Sequence, residues 1–405
     1  MSTTAHTASS GVAYHARSSA AVAAATSIPW VLYAVAAAAT IVVVGIIWDI
    51  SWHITIGRDT FWTPAHMCTY LAGAIVGVTC GWVALKTTFA GAPEERQSSI
   101  GVWGFRAPLG AWICVWGAFA MLTSAPFDDW WHNAYGLDVK IISPPHALLV
   151  LGIVCITVGA MVWTLAWQNR TNVPALKTRL ARLYVYDAGM FLGMVAIFVT
   201  EYNNRVLQHT SLFYRACAFG FPFVLVAVAR GSTLRWPATL TALVFMALRI
   251  VMGWILPLWS ATPKLGPIYN AVDHMVPMQF PLLLVAPAFA IDLLMHRLGK
   301  TTTKGRDWAT APLYGVTFMV ALAVVQWPFA TFLNSSTARN WIFFADRFPY
   351  TVPHSTLLYQ NRFVDLPADH VPSVLAMSIF VTLLYASLSA GVGLAWGRWL
   401  THVQR

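Results

Sequence analysis

The stretch PWVLYAVAAAATIVVVGIIWDI, residues 29–50, contains a single charged residue, Asp49, next to its end. A run of about 20 apolar residues, wound as a helix, matches the hydrocarbon thickness of a bilayer. The rest of the chain repeats the pattern. Further apolar runs lie near Pro64 to Leu85, Pro108 to Ala125, Pro144 to Trp167, Val185 to Glu201, Leu212 to Ala229, Pro237 to Leu258, Pro277 to Met295, Ala311 to Leu333 and Ser373 to Trp396. The sequence therefore predicts an all-α, polytopic transmembrane helix bundle with about ten spans. Several runs open with Pro, which suits a first helical turn because its missing N–H has no intrahelical partner there.

Composition agrees. Of the 405 residues, 58% are hydrophobic and 10% charged, against roughly 25% charged in soluble domains. A water-facing surface needs charge and a lipid-facing one excludes it, so an ordinary soluble globule is ruled out. Residues 1–28, rich in Ala, Ser and Thr, read as a flexible cytoplasmic tail without the basic n-region of a signal peptide. Residues 29–170 form one unit, residues 171–405 the remaining bundle, and the loop 334–372 is long enough for a small cap.

Sixteen Lys and Arg fall on the side shared by the two termini and seven on the other, with Arg215 and Arg249 inside spans. The positive-inside rule then puts both termini in the cytoplasm, as expected of a bacterial inner-membrane protein. The net charge of +10 reflects this topology and basic loops against anionic lipid, not nucleic-acid binding. Cys68, Cys80, Cys114, Cys155 and Cys217 lie in predicted spans without a Cys-x-x-Cys pair, so no disulfide framework is implied.

Acids and imidazoles sort the other way: eight of twelve His and ten of fifteen acids fall on the side poor in Lys and Arg, which favours cations there. Two loops on that side repeat each other. The first carries Asp49, Trp52, His53, Gly57, Asp59, Pro64 and His66. The second carries Asp128, Trp131, His132, Gly136, Asp138, Pro144 and His146. Asp to His is four residues in both, His to Gly four and Gly to Asp two, with one extra residue before the second closing His. This spacing predicts a tandem helix–loop–helix repeat in the first four spans, with its copies parallel.

At i and i+4, Asp49 and His53, like Asp128 and His132, share a helix face. The glycines permit a tight reversal, and the second His of each copy rides the opening turn of the returning helix. Each copy can thus converge two imidazoles and a carboxylate, a mixed N/O set that suits a transition metal rather than Ca or Mg. The candidate ligands are Asp49, His53, His66, Asp128, His132 and His146, with Asp59, Asp138 and His274 as weaker ones; copper is favoured, with iron or zinc also compatible. The competing reading has the Trp in an interfacial belt, the Asp capping helices or paired with Arg58 and Lys140, and the His bonding loops together. Asp187, Arg249 and Asp292 are notable as charges inside predicted spans; Arg249, the deepest, suits an ion pair or an anionic substrate.

The Asp-x3-His-x12-His spacing of Asp49, His53 and His66 resembles the metal-ligand spacing in the membrane-embedded C subunit of copper-dependent particulate methane and ammonia monooxygenases. The match is local, and the second copy departs from it by one residue before His146. The wider Trp-His, Gly-x-Asp and Ser/Thr-Pro-x-His pattern is similar to that of uncharacterised bacterial polytopic membrane proteins. The first resemblance implies a membrane oxidoreductase holding copper, which leaves the catalytic residues unassigned. A metal or solute transporter and a noncatalytic subunit or assembly factor remain open, as do partner subunits or a homo-oligomer.

Overall fold

A computed structural model describes residues 27–136, 143–199, 202–300, 303–356 and 371–405; the predicted tail, apart from Ser27 and Ile28, lies outside them. The first half holds α1 (Trp30–Thr55), α2 (Pro64–Ala90), a short α3 (Pro93–Gln97), an antiparallel hairpin of β1 (Ile100–Val102) and β2 (Phe105–Ala107), α4 (Leu109–Tyr135), α5 (Pro144–Arg170) and α6 (Pro174–Phe198). The second half holds α7 (Ser211–Gly220) and α8 (Pro222–Gly231), then α9 (Pro237–Ile255), α10 (Val285–Leu298), α11 (Lys304–Leu333) and α12 (Pro372–Leu400). Taking α7 and α8 as one helix kinked at Pro222, nine helices among the described residues are long and apolar enough to cross a membrane. Large side chains such as Val78, Phe89, Phe119, Phe219, Val324 and Phe380 point outward. Their exposure suits a lipid-facing surface, where water would penalise it.

Small residues bring the helices together. A Cβ on Gly117 of α4 would lie 2.7 Å from the Gly152 carbonyl of α5, and one on Gly159 would lie 2.5 Å from Cys114 Sγ. Without a hydrophobic force between helices in lipid, such close approach maximises dispersion contact. Two buried clusters result. One is built on α1, α2, α4, α5 and α6 with the end of α9, the other on α5 to α12.

The predicted eighth span, Pro277 to Met295, is only partly helical. Residues 276–284 contain no helix, and α10 has 14 residues, about 21 Å against a hydrocarbon core of about 30 Å. The cause is Pro277 and Pro281, four residues apart, neither of which can donate to a helical carbonyl. The extended backbone finds partners elsewhere. Ser51 Oγ donates to the Val276 carbonyl (2.7 Å) and Val276 N–H to Thr55 Oγ1 (2.7 Å). Leu283 N–H donates to Gln326 Oε1 (3.0 Å), and Gln326 Nε2 to Gln208 Oε1 (2.8 Å). Arg249 spends its guanidinium here, on the Gln279 carbonyl and Met278 Sδ (both 2.8 Å), rather than on the acid or anionic substrate expected from its depth. Irregular backbone is tolerated at membrane depth when protein satisfies it in this way.

This segment still passes from one end of the bundle to the other. It starts beside Thr55, and it ends where Asp292 accepts from Ala238 N–H, Thr239 N–H and Thr239 Oγ1 at the start of α9. At that same end, away from the motif, Asp307 pairs with Arg230 (2.7 Å) and Arg398, and Asn169 Nδ2 donates to the Leu400 and Val403 carbonyls. Asp292 and Asp307 are thus tied up in holding helix ends.

Candidate metal centre

Each cluster is assembled by one reversal of the chain. Helix α1 carries Asp49 and His53 on its last turns, and Gly57, at φ +82°, turns the chain while its N–H donates to the Trp52 carbonyl (3.2 Å). Thr60 N–H then donates to Thr63 Oγ1 (2.8 Å) and Thr63 N–H to the Thr60 carbonyl (2.9 Å), which folds the loop back before Pro64 starts α2. Helix α4 likewise carries Asp128 and His132. Gly136, at φ +84°, follows, and Ser143 caps α5, its Oγ accepting from His146 N–H (3.5 Å). A φ near +80° costs glycine nothing and strains other residues.

The geometry recurs between the two reversals. Asp49 Oδ1 lies 3.1 Å from His66 Nε2, and Asp128 Oδ1 lies 3.3 Å from His146 Nε2. Asp49 Oδ2 lies 3.8 Å from His53 Nε2, and Asp128 Oδ2 lies 3.5 Å from His132 Nε2. In each cluster the three ligand atoms fall within 4.8 Å of one another. Asp59, ranked lower on sequence grounds, reaches as close as Asp49, its Oδ2 standing 3.3 Å from His66 Nε2 and 3.5 Å from His53 Nε2. Its counterpart Asp138 lies outside the described residues.

These separations are longer than charge-assisted hydrogen bonds, which run about 2.7–2.9 Å. Ligands about 2.1 Å from a shared tetrahedral ion would instead stand roughly 3.4 Å apart. The buried oxygens Asp49 Oδ1 and Asp128 Oδ1 make no hydrogen bond despite the nearby imidazoles. The far side of two rings adds a constraint, because His66 Nδ1 sits 2.9 Å from the Thr60 carbonyl and His132 Nδ1 sits 3.1 Å from the Gly136 carbonyl. A carbonyl only accepts, so each Nδ1 carries the hydrogen. In a neutral ring Nε2 then presents its lone pair to carboxylate oxygens, a repulsive arrangement relieved only by a proton or a metal ion between them. Metal-bound histidines commonly donate their distal N–H to a backbone carbonyl in this way.

The two clusters share one vestibule. Charges on Asp59 and His66 act on Asp128, and those of Asp49, Asp59, Asp128 and Asp129 act together on the Tyr70 hydroxyl. Tyr70, one helical turn beyond His66 with ring centroids 6.2 Å apart, was not singled out from the sequence, although the i, i+4 spacing from His66 was there to find it. Trp130 and Trp131 both pack on Tyr135 near the second cluster, the first edge-to-face and the second tilted.

Other candidates serve elsewhere. His274 Nδ1 is 2.6 Å from Asp273 Oδ1 and belongs to neither cluster; its hydrogen bond holds the Asp273 carboxyl below the usual range. His209 Nε2 meets Thr331 Oγ1 (3.0 Å), and its ring packs on Trp327. Cys68 Sγ donates to the Ile41 carbonyl of α1, away from the cluster. Among the described residues Arg58 pairs with none of the acids; imidazoles take that place. Glu201, Asp365, Asp369 and His370 lie outside the described residues. No family model, curated protein or solved structure matches the chain.

Proposed function

We propose that this chain is a membrane metalloprotein whose α1–α2 and α4–α5 pairs, related by an internal duplication, each hold a transition-metal ion at the outer face of a bacterial inner membrane. The observation that carries this reading is the convergence of imidazole Nε2 atoms on buried, unbonded carboxylate oxygens, twice over. Asp49, Asp59, His53 and His66 would hold one ion and Asp128, His132 and His146 the other. The N/O donor set favours copper, with iron or zinc as alternatives. With a redox-active ion, the site would serve a membrane oxidoreductase of monooxygenase type, drawing an apolar substrate across the lipid-facing aromatic surface. The ions would supply the redox chemistry; the chain's own residues position them and keep the vestibule anionic.

A second reading, a metal or small-solute transporter, draws support from the broken eighth span, since interrupted helices often build transport sites. A noncatalytic subunit or assembly factor would use the same clusters structurally.

The test is metal content by mass spectrometry on gently purified protein, wild type against His66→Ala plus His146→Ala. Stoichiometric copper, iron or zinc in the wild type, lost in a folded double variant, supports the reading. Absence of metal in the wild type after reconstitution with each ion sinks it. Electron paramagnetic resonance and metal flux into vesicles then separate oxidoreductase from transporter.

A further inference from the structure

Away from the vestibule, one carboxyl has no counter-ion. Asp187 of α6 lies thirteen residues after Pro174, about 20 Å along the helix, and is fully buried. Its Oδ2 accepts from Thr164 Oγ1 of α5 at 2.8 Å, while its Oδ1 has no partner. Among the described residues no Lys, Arg or His comes within ion-pair distance.

The neighbours are unsatisfied too. Tyr184, one turn before Asp187 on α6, and Gln168, one turn after Thr164 on α5, are both fully buried. The Tyr184 hydroxyl and Gln168 Oε1 make no hydrogen bond. Because α5 and α6 are consecutive and antiparallel, Thr164 facing Asp187 sets Gln168 at the level of Tyr184. The oxygen atoms of these four side chains therefore lie at two levels along the α5–α6 contact, the Tyr184 hydroxyl reaching toward Gly231 of α8. Three of these atoms lack the partners that buried polar groups nearly always have, and none lies close enough to another to bond it.

We propose that this is a second, intramembrane site, which binds one small monovalent cation of the sodium class, centred on the Asp187 carboxylate and Thr164 hydroxyl, with the unbonded oxygens of Tyr184 and Gln168 one turn away to complete it. The donors are all oxygen, which excludes the softer metals suited to the vestibule. One carboxylate balances one positive charge; a divalent ion would leave a net charge in low dielectric, where it is costly. The site is independent of the vestibule, and its test uses protein stripped of transition metals by a chelator.

The experiment is thermal unfolding of the detergent-purified full chain against increasing Na+, with choline holding ionic strength constant. Wild type should be stabilised saturably by Na+ alone. Asp187→Asn should raise the half-saturating concentration by about a hundredfold or more, and Thr164→Val should raise it less. Asp187→Glu serves if the Asn variant does not fold. An equal response to Na+ and choline would overturn the proposal, as would a Na+ response surviving in Asp187→Asn. Infrared spectra of the wild type give an independent reading: a protonated-carboxylic-acid carbonyl band should be lost on adding Na+. A band removed by Asp187→Asn, or shifted by Asp187→Glu, but persisting in saturating Na+ would show that a proton holds the site instead.

Discussion

The two reversals share a glycine of positive φ but not its surroundings, so the same substitution should cost different amounts in each. At Gly136, φ is +84° with ψ −171°, a combination that is essentially glycine's alone, and a Cβ would meet nothing within 4 Å; Gly136→Ala should therefore cost only this backbone strain, about 1–3 kcal/mol. At Gly57, φ is +82°, but a Cβ would stand 1.8 Å from Tyr350 Oη and 3.2 Å from Leu265 Cδ1. Tyr350 cannot swing aside cheaply, being 1% exposed with its hydroxyl on the Ile56 carbonyl. Overpacking of this kind adds about 1–3 kcal/mol to a backbone strain of about 1–3 kcal/mol, so Gly57→Ala should cost about 2–6 kcal/mol in all. It should also displace Asp59 and empty the first cluster while sparing the second. In Gly57→Ala plus Tyr350→Phe the nearest ring carbon would lie 3.1 Å away, and about half the excess should return. Denaturant unfolding of the four proteins, with metal content on each, gives the comparison. Equal losses for the two glycines, or no recovery in the double variant, would refute the reasoning.

Gln326→Leu strands both Leu283 N–H and Gln208 Oε1; at about 1–3 kcal/mol for each buried group, unfolding should show a loss of about 2–6 kcal/mol. Asp59→Asn should weaken metal at the first cluster by about 10–100-fold and leave the second unchanged in a competition titration. Metal should leave both clusters on acidification, because protons compete for Nε2, and a stoichiometry that stays flat down to mildly acidic pH would contradict imidazole ligation. The Asp273 carboxyl, lowered by His274, contributes stability present at neutral pH and lost as pH falls through its depressed value. Unfolding of His274→Ala followed against pH should lack that acid-side loss.

Hydropathy made the bundle legible because a span needs little more than apolar length. It failed at residues 276–284 for the same reason, since a buried extended segment is as apolar as a helix. Pro277 and Pro281 were the available signal, and Arg249, Gln326 and Ser51 supply what the missing helical bonds would have. Ligand spacing was legible because i, i+4 places Asp49 with His53 and Asp128 with His132 on any helix. The rank of Asp59 was not, because it depends on Gly57 and the Thr60–Thr63 hydrogen bonds folding the loop inward. Tyr70 was missed although it lies i, i+4 from His66, because that spacing marks only a shared helix face and not the meeting of two loops that surrounds it with acids.

The ground beneath the vestibule bears on enzyme against transporter. Inward of Asp49 and Asp128, the facing sides of α1, α2, α4 and α5 bury Val42, Val43, Ile47, Val76, Met121 and Ile153. The buried polar side chains deeper on these four helices are thiols, hydroxyls and the Gln168 amide, and the nearest deep carboxylate, Asp187, lies on α6 behind Thr164 of α5. An ion leaving the clusters inward would shed its ligands into an apolar layer, at the cost that makes bare charge rare in membranes. His53, with its side chain 45% exposed, opens the other way. On the proposed reading, ions held here would act at the boundary rather than pass through it. Vesicles containing the purified chain should therefore load metal at the vestibule without accumulating it inside; flux above protein-free vesicles, abolished by His66→Ala, would move the balance to transport.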